Sequence, residues 1–317
     1  MRMNESRMNE YRVDLHVDTL SKLAEHGGAL TPQRPNFHVD AHKCQLSKMS
    51  LIGSAIFTVD GHPDPWGHCL KLLEERNRLH ADKHQPFRIV THPDQVDALP
   101  AGTTGLLTTI ENGIVLEGRV ERLHDLHEQG VRVLGLVWNG ANNLAQGCLQ
   151  DTGEGLTPFG VTVVKEAAKL GWAIDVSHLN PAGVLELCQL EVPVLATHSN
   201  CKSIHNCPRN LDPEMLSALA NIEAVVGVNI YPPFLGGDHD MSTFLNHVEE
   251  LEQVLGKDSV CLGTDLDGID DAMTGFRDYR DLDQLYDFLE ASEEGRGLRV
   301  LGNNFMSFWR KWAMPTS

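Results

Sequence analysis

No run of about 18 consecutive apolar residues occurs in this chain, which excludes a membrane-spanning helix of ordinary length. The opening MRMNESRMNE has no apolar centre and does not read as a secretory leader, and the closing FMSFWRKWAMPTS is too short and too basic for a lipid-anchor tail. No C-x-x-C pair is present. Cys44, Cys69, Cys148, Cys188, Cys201, Cys207 and Cys261 are scattered and odd in number, a pattern that fits a reducing compartment. Basic residues are scarce, 26 against 44 acidic ones for a net charge of −18, so the summed field repels phosphate backbones and anionic membrane surfaces. The expected location is the cytoplasm, with neither nucleic acid nor membrane as a partner.

What is present suits a compact chain. Over 317 positions, 41% apolar and 22% charged residues supply a full hydrophobic core and a solvated surface. No Gly/Ser hinge, low-complexity tract or internal sequence repeat divides it, so residues 1–317 read as one domain. Eight short apolar, β-branched runs recur: YRVDLHVD (11–18), SLIGSAIFTV (50–59), GLLTTIE (105–111), VRVLGLVW (131–138), WAIDVSH (172–178), PVLATH (193–198), AVVGVNIY (224–231) and SVCLGTD (259–265). Between them lie amphipathic stretches such as FGVTVVKEAAKLG, NPAGVLELCQL and DPEMLSALAN, several opening on Asp, Asn or Pro and closing on Gly, the start and stop signals of helices. Alternating strands and helices require parallel strands with crossovers, and eight such units favour an α/β fold closed as a (β/α)8 TIM barrel; an open doubly wound sheet is the other arrangement the pattern allows. The long gap at about 19–49, polar and rich in His, Pro and Gly, reads as an active-site loop.

Six of the eight runs end in polar residues, at the place where a barrel gathers its active site. His16 and Asp18 stand two apart on a strand and so face one side, as two ligands of one ion do; alone, the pair reads equally as a polar strand end. Glu111 closes the third run before Asn-Gly, where a carboxylate can bridge two ions or simply cap a helix. His178 and His198 each follow an apolar strand, and neutral imidazole is the commonest metal donor, although a single such His is more often structural. Asp265 ends the eighth run, placed for general acid/base work, while Asp267 before Gly268 reads as a turn residue. Together His16, Asp18, Glu111, His178 and His198 give two ions three ligands each if Glu111 is shared. This mixture of imidazole and carboxylate suits Zn2+, with Mn, Co or Fe as alternatives, and a hydroxide bridging two zinc ions is the expected nucleophile.

The segments DLHVDTL, IENG, GLTPFGVTVVKEAAKLGWAIDVSH, ATHSNCKSIHNCPRNL, VNIYPPFL and GTDLDG, in this order, resemble the membrane (renal) dipeptidase family of zinc metallopeptidases across nearly the whole chain. The resemblance implies that His16, Asp18 and Glu111 hold one zinc and that Glu111, His178 and His198 hold the other. It implies that Asp265 meets the substrate amine and relays a proton, and that Arg209 binds the terminal carboxylate of a dipeptide, as a planar guanidinium does bidentately. It places Tyr231 among the substrate-binding residues and suggests a homodimer.

The chain departs from the family pattern after its fourth run. Where that pattern reads Thr-His-Asn, with the His at the substrate carbonyl oxygen, this chain has Val137, Trp138 and Asn139. Trp138 offers an indole N–H without the charge, and packing at the strand end is its other reading; Asn139 and Asn142 are the neighbouring polar candidates. The implied activity is metal-dependent hydrolysis of the dipeptide amide bond. Hydrolysis of another small amide, an N-acyl amino acid or a lactone is the alternative, since barrels host many chemistries, and a binding protein that has lost catalysis is a third reading. His62, His68, His80, His84, His124 and His127 read as loop or helix-face residues, and His205 is left outside the site.

Overall fold

The structure is a computed structural model that describes residues 10–313 except Pro32 and Asp151. The leader and anchor readings of the two ends fall at least partly on residues 1–9 and 314–317, which lie outside the described residues. Among the described residues, nine strands form one parallel sheet: β1 (Val13–Val17), β2 (Leu51–Phe57), β3 (Phe87–Ile89), β4 (Thr104–Glu111), β5 (Val131–Gly135), β6 (Ala173–Asp175), β7 (Val194–Ala196), β8 (Val225–Val228) and β9 (Val260–Leu262). Eight of them follow one another round the ring in the order β1-β2-β4-β5-β6-β7-β8-β9, and β3 pairs only with β4. The seam between β9 and β1 is closed beyond the strands by a parallel bridge, Val17 to Leu266. Hydrogen bonds there run from Asp18 N–H to Leu266 O at 2.9 Å and from Asp265 N–H to His16 O at 3.0 Å. The fold is the expected (β/α)8 barrel.

Local chemistry sets the helix starts between the strands. Asp64, Thr157, Asn180 and Asp212 each accept a backbone N–H of the first turn through the side chain, and each is followed by proline at the first helical position. The apolar faces of these helices bury against the outer face of the ring in the larger core, with Ile52, Ile56, Ile110, Ile174, Val226 and Leu262 on the strand side. Inside the ring lies a second core in which every barrel strand takes part, including Leu15, Leu51, Leu107, Val133, Leu195 and Cys261. Phe305, Met306 and Trp309 of the helix Asn304–Trp312 pack against it and close that end of the barrel. The opposite end opens into a cavity lined by charged and aromatic side chains.

Three features differ from the sequence reading. The gap 19–49 contains two helices, Thr19–His26 and Ala41–Leu46, joined by an irregular segment. Strand β3 is three residues long, between a turn and a short helix capped by His92, too short to leave a periodic signal. The later strands are shorter than their apolar runs because the last residues leave the ladder: His178 and Asp265, at the ends of two runs, have left-handed backbones at φ 71° and 64°. No described helix is long and apolar enough to cross a membrane.

Candidate metal centre

An irregularity in β1 makes the site possible. Val13 pairs with Leu51 and Asp14 with Ile52, but the register shifts before Val17, which pairs with Ser54. Val13 and Leu15 therefore point into the barrel, and beyond the shift His16 and Asp18 point inward as well, the re-aiming that a bulge produces at a barrel rim. Glu111 arrives at the end of the longest strand, β4, and His178 and His198 stand just past β6 and β7.

The five residues converge. His16 Nε2 lies 3.1 Å from Glu111 Oε2 and 3.4 Å from Asp18 Oδ2. His178 Nε2 lies 3.0 Å from Glu111 Oε1 and 3.0 Å from His198 Nε2. The two oxygens of Glu111 thus face different histidines, which is how a shared carboxylate bridges two ions. All five side chains are buried. Two of the donor groups close enough to hold an ion are Glu111 with His178 and His198, and His16 with Asp18 and Asp265. A third, His16 with Asp175 and His198, includes a carboxylate already committed to Thr197 and Ser177.

The environment favours cations. The Thr197 hydroxyl, 2.5 Å from Asp175 Oδ2, donates there and accepts from His198 Nδ1 at 2.8 Å, so His198 Nε2 presents a bare lone pair toward His178. Burial, followed by the neighbouring His16, pushes the His198 pKa well below the usual range. Burial and then Arg209 push His178 down to about 4. Burial opposes ionisation of Glu111, but His16 and His178 outweigh it and hold the carboxyl far below its ordinary value. Burial likewise opposes the charge on His16, yet Glu111 and Asp18 raise its pKa well above normal. Asp265 is raised well above the carboxylate range by burial and by Asp18 and Glu111, against the pull of His16. Three crowded carboxyls, two imidazole lone pairs 3.0 Å apart and a buried Asp18 Oδ1 without a hydrogen-bond partner are what a pair of cations would satisfy.

Around the cluster is a cavity of about 620 Å³ lined by Asp18, Glu111, His178 and Asp265 at its base. Arg209 lines it too, buried and stacked over Phe234 at 5.1 Å; its Nη2 donates to His198 O at 3.2 Å, and its Nε has no hydrogen-bond partner. Trp138 meets Phe57 edge-on at 5.2 Å, and Tyr231 meets Phe234 at 5.0 Å, forming two aromatic walls. Asn139 also lines the cavity, with its Oδ1 2.9 Å from His178 Nδ1. Sequence reasoning missed Phe57 and Phe234, whose apolar surroundings gave no signal. It also missed Asn229, whose Nδ2 reaches Asp265 Oδ2 at 3.4 Å. Asp267 is more than a turn residue. Its buried carboxylate accepts from Thr19 Oγ1 at 2.7 Å, His38 N–H at 2.7 Å and Lys22 Nζ at 3.2 Å, tying the segment after β1 to the one after β9.

The sequence model of the membrane dipeptidase family, peptidase family M19, matches residues 4–314. The chain belongs to this family. It is 33% identical over 220 residues to an uncharacterized protein in the pqqA 5′ region of Klebsiella pneumoniae, covering 65% of this chain and 79% of that one. It is 29% identical over 206 residues to an uncharacterized dipeptidase of Schizosaccharomyces pombe, covering 62% of this chain and half of the yeast protein. A metallopeptidase from Rhodobacter sphaeroides, solved with a phosphinate mimic of the dipeptide L-Ala-D-Ala, shares the fold with a TM-score of 0.88 at 22% identity, over 97% of this chain and all of that one. Membership of the membrane dipeptidase family and the donor groups at the barrel mouth together support metal-dependent hydrolysis of dipeptides.

Proposed function

We propose that the chain hydrolyses the amide bond of dipeptides at a two-zinc site, with His16, Asp18 and Glu111 holding one ion and Glu111, His178 and His198 the other. Bound there, zinc would lower the pKa of a shared water toward neutrality and polarise the scissile carbonyl. The rest is the work of the chain's own side chains. Arg209 takes the substrate carboxylate, Asp265 meets the free amine and carries a proton to the leaving nitrogen, and Trp138, Asn139 and Tyr231 contact the remainder of the substrate. Asn229 holds Asp265 from behind.

The observation that carries this reading is Arg209. A buried guanidinium that lines a cavity beside a metal-type cluster, with no ion pair to a carboxylate among the described residues, is a costly arrangement unless an anionic group of the substrate completes it. With Asp265 in the same cavity, both ends of a short zwitterionic peptide are read, which limits the substrate to two residues.

Hydrolysis rates for free dipeptides, N-acetylated dipeptides, dipeptide amides, N-acyl amino acids and lactones test the proposal. Free dipeptides are expected to be cleaved fastest, and blocking either terminus should cost at least tenfold in kcat/KM. Faster turnover of lactones or N-acyl amino acids would favour the alternative that this barrel acts on another small ester or amide, an alternative that Trp138 keeps open by replacing the family histidine.

A further inference from the structure

His178 is gripped by a single loop. Its backbone has φ 71°, the left-handed conformation of the third residue in the Val176–Leu179 turn, where the Leu179 N–H donates to the Val176 carbonyl at 3.0 Å. The segment after β5 holds that turn in place. The Cys148 N–H donates to the His178 carbonyl at 2.7 Å, and Gly147 forms an antiparallel bridge with Leu179, next in the chain. Asn139 Oδ1 meets the other side of the ring, 2.9 Å from His178 Nδ1. The same segment closes on itself. Leu149 N–H donates to the Asn139 carbonyl at 3.2 Å, and the Cys148 thiol donates to Asn139 Oδ1 at 3.4 Å. Gly140 N–H donates to Asp60 Oδ2 at 2.6 Å, and Asp60 Oδ1 accepts from Asn112, the neighbour of Glu111.

An amide oxygen accepts and does not donate, so this contact keeps the imidazole proton on Nδ1 and turns the Nε2 lone pair toward Glu111 Oε1 and His198 Nε2. The other two histidines owe nothing to Asn139: the ring nitrogen of each that faces away from the cluster lies against Thr197 Oγ1, at 2.8 Å for His198 and 3.4 Å for His16. A partner of this kind on the far nitrogen of a ligating histidine fixes its tautomer and orientation and governs metal affinity. We infer that Asn139 is a positioning residue for one half of the site, setting the affinity of the Glu111, His178 and His198 position for a divalent cation while leaving the His16 and Asp18 half unchanged. The inference rests on the two-cation reading above, and it gives the Asn139 carboxamide a second task beside contact with substrate.

The test is a titration of metal-free protein with Zn2+ in competition with a chromophoric chelator, on wild type, Asn139→Leu and Asn139→Asp, with the unfolding temperature of each metal-free protein recorded. Wild type is expected to take up two equivalents. Asn139→Leu, similar in size but unable to accept the N–H, should bind one equivalent as before and the other about 10- to 100-fold more weakly. Asn139→Asp still accepts that hydrogen bond and should keep both affinities within a few-fold. Leucine variants that bind both ions as tightly as wild type would overturn the inference and leave the two-cation reading standing. A wild type that takes up fewer than two equivalents would overturn that reading, and the inference with it. Loss of both sites together with a lower unfolding temperature, or loss in the Asp variant equal to that in the Leu variant, would reduce Asn139 to a loop support and contradict the positioning role.

Discussion

Glu111 is the residue on which the site turns, because each of its oxygens faces a different histidine at 3.0–3.1 Å. Alone it reads equally as a helix cap, and only in combination with His178 and His198, which stand just past β6 and β7, does its place at a strand end suggest a metal site. Arg209 was different. Nothing in its own sequence neighbourhood separates it from a surface charge, and only the family resemblance, then its burial beside the cluster, makes it a candidate for carboxylate recognition. Arg209→Ala should cost free dipeptides about 2–5 kcal/mol of binding, roughly 30-fold or more in kcat/KM, the usual penalty for truncating one side of a buried charged pair. Dipeptide amides, which lack the carboxylate, should barely respond. Steady-state kinetics on both substrates decides it, and equal losses on both would remove Arg209 from carboxylate recognition. Asn139 was read as a substrate contact from its place beside Trp138; the bond to His178 depends on how the loop folds back, which no local spacing encodes.

At the scale of elements, the strand tips are held by close backbone contact. Gly227 and Gly263, on or beside β8 and β9, crowd the carbonyl of Thr197, the residue before His198; a Cβ on Gly263 would sit 1.8 Å from that oxygen. Because the obstacle is backbone, Gly263→Ala should displace the β7 tip, destabilise the fold by about 1–3 kcal/mol and lower zinc content through His198. Thermal unfolding with metal analysis would show it, and an unchanged variant would mean the tip tolerates the shift. Away from the site, Glu293 joins Lys257, Arg299 and Arg296 at 2.8, 2.6 and 3.4 Å. Hydrogen bonds from Lys257 and then Arg299 lower its pKa from 4.5 to about 2. A depressed acid pKa stabilises the fold above the unfolded value and loses that contribution as pH falls, so wild type should exceed Glu293→Gln in stability near pH 6, with the gap closing between about pH 4.5 and 2. Denaturation curves across that range check the sign; a gap that stays constant would contradict it. The shift in β1 that turns His16 inward was invisible beforehand, since a bulge leaves the apolar alternation of a five-residue strand almost intact.

For the whole molecule, the barrel was legible because its eight strands are buried on both faces and read as continuous apolar runs separated by capped helices. What escaped was tertiary. The helix Asn304–Trp312 closes the inner core with Phe305, Met306 and Trp309, and the segment 19–49 folds into two helices pinned by Asp267, 229 residues away from the His38 it holds. Neither contact has a local sequence cause. All of these elements bring five side chains, His16, Asp18, Glu111, His178 and His198, together from four strand tips, the convergence that the proposed two-zinc site requires. The most direct test is to strip the protein with a strong chelator and add zinc in measured steps while following hydrolysis of a free dipeptide. Activity should be absent without metal and reach its full value as the second equivalent binds. Full hydrolysis in metal-free protein, or after a single equivalent, would contradict the two-zinc account.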